Sequence, residues 1–282
     1  MNIKYLAASL LACTLFMGTS IQAQNNAATP KKVLLVTATL EFRHSCIPLA
    51  EKVLTDLGKT SGAYVIVDTI RSTDRPSDPD AEKQKEKVAA WQAGIKADFA
   101  AKMSAEALKK YDAVIFCNTT GNLPVPSMDD FLSWIKNGGN FIGMHAASDT
   151  FHASPAFIDM LGGEFKQHGP QVKVDCINQD LQHPATKHFG SHYEIFDEIY
   201  QFKNFHRERV HGLLTLDKHP NDKTPGDYPV SWCKQVGKGR VFYTSLGHRE
   251  DVWESADYDK HILGGIKWAL GLEPGDATPQ TK

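Results

Sequence analysis

Val33–Leu34–Leu35–Val36–Thr37 decides how the rest of the chain is read. Its apolar residues stand in an unbroken row, with no polar residue between them. Such a row suits a strand buried on both faces, as in parallel sheets flanked by helices. The next segments agree. Ile47, Leu49, Ala50, Val53, Leu54 and Leu57 recur at helical spacing, and Gly58 can end the helix. Ala63–Tyr64–Val65–Ile66–Val67 reads as a second strand, and the polar, proline-containing stretch 71–80 as a surface loop. Residues 81–108 read as helix, broken near Ser104, and residues 111–117 as a third strand. A helix over 129–134, capped by Ser127 and stopped by Gly138–Gly139, leads to a fourth strand, Asn140–Phe141–Ile142–Gly143–Met144. A short helix over 155–161 follows. Strand and helix alternating four times predicts an α/β fold with a doubly wound, mostly parallel sheet.

Beyond Gly163 the pattern changes. Residues 171–177, 198–202, 210–216, 229–234 and 240–245 read as extra strands in the C-terminal half, with few helices between them. They either extend the sheet or form a small antiparallel layer. A closing helix is expected over 258–270. The expected organisation is therefore a polar lead-in over 24–31, one α/β domain over 32–272 and a polar tail over 273–282.

The first residues stand apart from this fold. Lys4 supplies a positive charge, residues 6–17 are almost wholly apolar, and Gly18–Thr19–Ser20–Ile21–Gln22–Ala23 ends in a small residue. That order matches a secretory signal peptide spanning residues 1–23, and places the mature protein in the periplasm or outside the cell. A competing lipid-attachment reading rests on Leu10–Leu11–Ala12–Cys13, but apolar residues continue past Cys13. Four cysteines remain after cleavage and allow three pairings or free thiols, and for Cys117, which ends an apolar run, a buried free thiol is the preferred reading. The chain of 282 residues is 41% hydrophobic and 23% charged, with a net charge of −2. This is ordinary globular composition. It lacks the positive field that nucleic acid or an anionic membrane surface requires, and no second apolar run is long enough to insert in a membrane.

In open α/β sheets, ligands bind just past the carboxyl ends of the strands. The first strand leads to Phe42–Arg43–His44, the third to Asn118–Thr119–Thr120–Gly121, the fourth to His145–Ala146–Ala147–Ser148–Asp149, and the last to Gly247–His248. Three of these four ends carry a histidine. His44, His145 and His248 are thus expected to share one site and to hold a divalent, zinc-like metal, with Asp149 or Glu198 nearby. A metal-free alternative uses histidine and Asp149 as general acid and base. His145, Asp149 and His168 are the candidate catalytic residues. His168 and His183 fall on loops between elements, and Asp197–Glu198 begins a strand. His188, His192, His219 and His261 sit in polar contexts and are assigned no role. The position of a nucleophile elbow holds His145, not Ser or Cys, which argues against acyl-enzyme chemistry. No glycine-rich nucleotide motif is present.

At these residues the chain resembles the ThuA-like (trehalose-utilisation) family of the class I glutamine-amidotransferase-like superfamily. Further matching pieces are Leu161–Gly162–Gly163 with His168, His183–Pro184, Asp197–Glu198–Ile199–Tyr200, Pro229–Val230–Ser231–Trp232 and Gly237 to His248. The resemblance implies a flavodoxin-like core and a link to disaccharide catabolism through 3-keto sugars. It brings no amidotransferase activity, because His145 replaces the superfamily's cysteine. A signal peptide departs from the family's cytosolic members.

Two functional classes stay open. One is an enzyme that processes oxidised sugars, with Phe42, Thr119, Thr120, Glu198 and Trp232 contacting the carbohydrate. The other is a carbohydrate-binding protein that uses Phe42, Phe151, Tyr200 and Trp232 as stacking platforms. The leader generates the first prediction. Intact mass of the exported protein should show a chain beginning near Gln24, and a diacylglycerol adduct starting at Cys13 would contradict it.

Overall fold

The computed structural model describes residues 29–280, so the leader expected over 1–23 lies outside the described residues. The elements begin with strand β1 (Lys31–Val36), helix α1 (Ile47–Ser61), β2 (Tyr64–Ile70), α2 (Ala81–Lys102), α3 (Ala105–Leu108) and β3 (Ala113–Cys117). Next come α4 (Met128–Lys136), β4 (Asn140–Met144), α5 (Pro155–Leu161), β5 (Glu164–His168), β6 (Val172–Asn178) and β7 (His192–Asp197). The chain continues with β8 (Tyr200–Lys203), β9 (His211–Lys218), β10 (Pro225–Val236), β11 (Gly239–Thr244), α6 (Glu250–Trp253) and α7 (Ala256–Ala269).

Nine strands form one sheet in the order β2-β1-β3-β4-β11-β10-β9-β6-β7. From β2 to β11 neighbours run parallel, and from β11 onward they run antiparallel. The unbroken apolar row of β1 has a direct cause. Side chains alternate across a strand. Val33 and Leu35 therefore join the core under α1, α6 and α7, while Leu34 and Val36 join the core under α2, α4 and α5. Both faces are covered, so both sets are apolar. Ser127 accepts a hydrogen bond from the Asp130 amide and starts α4, and Ser104 caps α3 and so breaks the long helix where expected.

The second half both extends the sheet and adds a ribbon, in which β5 pairs antiparallel with β8. Two expectations are corrected. His168 is not on a loop but is the last residue of β5, facing Tyr200. Asp197 ends β7 rather than beginning a strand, and Glu198 sits in the short link to β8. Cys46, Cys117, Cys176 and Cys233 are all buried free thiols. Among the described residues no helix is long and apolar enough to cross a membrane.

Helix α7 reaches its seat through Gly264 and Gly265. A Cβ on Gly264 would collide with the Pro184 carbonyl oxygen, and one on Gly265 with the Phe242 ring. Alanine would gain about 1 kcal/mol of helix propensity, whereas overpacking costs about 1–3 kcal/mol. Backbone cannot move aside as a flexible side chain does. Gly264→Ala should therefore lower the urea midpoint, against its propensity gain.

Candidate functional site

β4 ends at Met144, and His145 then takes φ +48, a backbone region that strains a residue bearing a Cβ. The chain turns there into a 3₁₀ segment, His145–Asp149. The imidazole is fully buried. Its Nδ1 lies 2.7 Å from the carbonyl oxygen of Ser245, the residue following β11. Nδ1–H donates to that carbonyl, which leaves the lone pair on Nε2. Nε2 faces His44 Nε2 at 3.2 Å and Glu198 Oε1 at 3.6 Å. His248 Nδ1 lies 3.3 Å from the same Glu198 oxygen. The three imidazoles pack edge to face.

His44, His145, Glu198 and His248 offer ligand atoms that all lie within 4.8 Å of one another. A tetrahedral zinc site with bonds of about 2.0–2.2 Å sets neighbouring ligand atoms about 3.3–3.6 Å apart. The separations of 3.2, 3.3 and 3.6 Å are close to that spacing. Burial, then the nearby His248 and His168, push His44 down to about 3. Burial and His44 hold His145 well below the ordinary range. Both rings are therefore neutral, the form that binds metal. The Glu198 carboxylate raises His248 against its partial burial. His44 Nδ1 is buried with no hydrogen-bond partner, so the ring is held by packing and by its Nε2 side. The donor set can hold a divalent cation.

Three of these residues, His44, Glu198 and His248, border a pocket of about 300 Å³, whose walls also include Phe42, Asp149, Phe165, His168 and Tyr200, while His145 is fully buried and not part of its lining. His168 Nδ1 lies 3.0 Å from Glu198 Oε2 and 2.9 Å from the Gly169 carbonyl oxygen. Two acceptors around Nδ1 fix a proton there and orient the ring. Asp149 Oδ1 accepts from His152 Nε2 at 2.7 Å. Burial raises the Asp149 carboxyl, and His152 opposes the rise. Phe42 is 63% exposed at the rim.

Several expected contacts are corrected. Trp232 is fully buried, donates from Nε1 to the Leu161 carbonyl at 2.8 Å and packs on Tyr243 and Phe202, so no sugar reaches it. Thr119 and Thr120 are also fully buried. Thr119 Oγ1 meets Thr150 Oγ1 at 2.8 Å, and Thr120 Oγ1 donates to the Phe42 carbonyl at 2.9 Å. Both hydroxyls tie loops together. Phe151 packs on Phe157 in the core. His183 is buried beside Cys233 and braces its own loop by accepting from the Ala185 amide. His261 is not in a polar context but buried between Ala185 and Thr244. Glu198 stands among the four residues that could hold a metal and also lines the pocket, and Asp149 is not in that set. His152, Glu164 and Phe165 were not expected. The spacing Asp149-x-x-His152 past a strand end was the available signal.

A family model described as "ThuA: Trehalose utilisation" matches residues 32–269. The chain belongs to the ThuA family. Solved structures carry the same fold. A ThuA-like protein of Bacteroides uniformis aligns with TM-score 0.63 and 23% identity, over 88% of this chain and 94% of that one. A ThuA-like protein of Parabacteroides merdae aligns with TM-score 0.63 and 20% identity, over 86% and 90%. A cytoplasmic protein of Salmonella typhimurium aligns with TM-score 0.51 and 11% identity, over 85% and 98%. At these identities the likeness to solved structures is one of fold. No curated protein matches significantly. Within this ThuA chain, core and rim aromatics should separate on mutation. Trp232→Ala should cost about 3–5 kcal/mol in denaturant unfolding. Phe42→Ala should stay within about 0.5 kcal/mol while weakening ligand binding.

Proposed function

We propose that this ThuA-family chain is a carbohydrate-processing enzyme that acts on 3-keto-glycosides or related disaccharide derivatives by proton abstraction and elimination. The observation that carries the reading is the convergence of His44, His145, His248 and Glu198 beside a pocket whose walls hold Asp149 and His168. The family's description, trehalose utilisation, supports a sugar as the ligand. Among the described residues that line the pocket there is no serine or cysteine to act as an acyl-type nucleophile. The nearest thiol, Cys46, is buried, and that burial, reinforced by Glu250 and Asp197, pushes it up to about 12.

A ketone at C3 makes the C2 proton acidic and turns the C1 oxygen into a β leaving group. Asp149 and His168 form the acid–base pair that such an elimination needs. One removes the C2 proton, and the other gives a proton to the departing C1 oxygen. The products are the free alcohol and an unsaturated ketone, to which water then adds across C1 and C2. Glu198 orients His168 through Nδ1, while Tyr200 and Phe165 supply apolar wall. His44, His145, His248 and Glu198 would hold the divalent cation, and imidazole donors suit zinc. When bound, that cation supplies a positive charge that polarises a ketone oxygen. The same groups suit isomerisation or epimerisation of a keto sugar, since those reactions also begin at C2. A pure binding protein loses support because Phe151, Tyr200 and Trp232, three of its four expected platforms, are buried.

Two measurements test this. Protein purified without an affinity tag should contain about one divalent ion per chain by elemental analysis, lost in His145→Ala. Incubation with 3-keto-trehalose in deuterated water should place deuterium at C2, and His145→Ala should abolish it. Full activity without metal would remove the cation from the mechanism. Tight binding of an unmodified saccharide, with no keto sugar turned over, would favour the binding-protein reading.

A further inference from the structure

Asp149 is tied into a line of charged groups that leads away from the pocket. Its Oδ1 accepts from His152 Nε2 at 2.7 Å, and His152 Nδ1 lies 2.5 Å from Glu164 Oε1. Glu164 is only 3% exposed. It also meets Lys203 Nζ at 3.0 Å and Asn204 Nδ2 at 2.7 Å. The pairing of β5 with β8 explains this, because it sets Glu164 directly across from Lys203. An imidazole that meets a carboxylate on each nitrogen at these distances donates from both, and is an imidazolium. Asp149 and Glu164 then carry two negative charges, and His152 and Lys203 two positive ones. The base has its counter-ion built in.

We infer that His152 and Glu164 are positioning residues for Asp149, holding it as an oriented, ionised carboxylate with Oδ1 engaged and Oδ2 left for the substrate. This rests on the reading that the pocket abstracts a sugar proton. It assigns Asp149 as the base and leaves His168 to protonate the leaving oxygen. Burial alone would discharge His152, but Glu164 and Asp149 overcome it and raise its pKa. Glu41 acts on Asp149 from the loop after β1. His206 and Arg209 share with His152 a surface hollow of about 520 Å³ on the side of Glu164. The arrangement resembles the orienting carboxylate of a catalytic histidine, with the order of acid and imidazole exchanged.

The test uses the full chain with His152→Gln and Glu164→Gln. Ring nitrogen-15 signals should show His152 titrating above the ordinary histidine range in the parent, and this rise should be lost in Glu164→Gln. With a 3-keto-glycoside, His152→Gln should lower kcat about 10- to 100-fold, the scale on which orienting partners act, with KM changed less than about twofold. Removing a cation beside a carboxylate raises that carboxylate's pKa. The acid limb of the rate profile should therefore move to higher pH. A simple staple between segments would lower the melting temperature and leave that limb in place. A neutral His152 ring in the parent, or an unmoved acid limb, overturns the inference. If the parent turns over no 3-keto-glycoside, the functional reading fails, and the carboxyl carbon-13 titration of Asp149 decides separately. An upward move in His152→Gln upholds the positioning role, and no move overturns it.

Discussion

The parallel pairing of β4 with β11 is the constraint on which the rest of the site depends. It aligns Met144 with Thr244, and so brings together chain segments a hundred residues apart. Only this register lets the Ser245 carbonyl take the His145 Nδ1 proton and places His248 on the same edge. The pairing is held from both sides. Phe242 joins the core beneath α7, and Val241 and Tyr243 join the core beneath α4 and α5. Shifting β11 by one residue would exchange those two sets and carry Ser245 and His248 away from His145.

Around that register, backbone strain is offset by hydrogen bonds. His145 sits in the left-handed region, yet its carbonyl accepts from the Tyr243 hydroxyl at 2.7 Å. The same hydroxyl meets Ser148 Oγ at 2.8 Å. The elbow is thus tied to β11 through its carbonyl as well as its ring. Asn118, at the end of β3, also takes a positive φ, and its amide donates to Cys46 Sγ at 3.2 Å. Two strained residues, Asn118 and His145, therefore stand side by side at the carboxyl edge, and such strain is common at functional sites.

Much of this was legible in the sequence because strand-end position is a property of the chain order. His44, His145 and His248 each follow an unbroken apolar run, so the edge they share follows from parallel pairing alone. Glu198 was one of two carboxylates expected near the histidines, and the choice between it and Asp149 was not legible, since β7 and β8 lie outside the alternating strand–helix region. Trp232, Thr119 and Thr120 were misplaced for one reason. A short motif shows which residue types recur, not whether a second layer covers them. Trp232 lies under the β5–β8 ribbon, and β5, Glu164-Phe-Lys-Gln-His168, has a single apolar residue and no readable period. Without β5, neither Glu164 nor its bond to His152 has an address in the sequence.

The spread of the four donors along the chain has a consequence for synthesis. They stand at positions 44, 145, 198 and 248. On a chain made from its N-terminus, the first two histidines exist long before Glu198, and the set is complete only when His248 has emerged. A strand that must insert between β4 and β10 is among the last to be made, and such non-local pairing is slow to form. Assembly of the donor cage coincides with closure of the sheet, so possession of the cage marks a molecule that has finished folding.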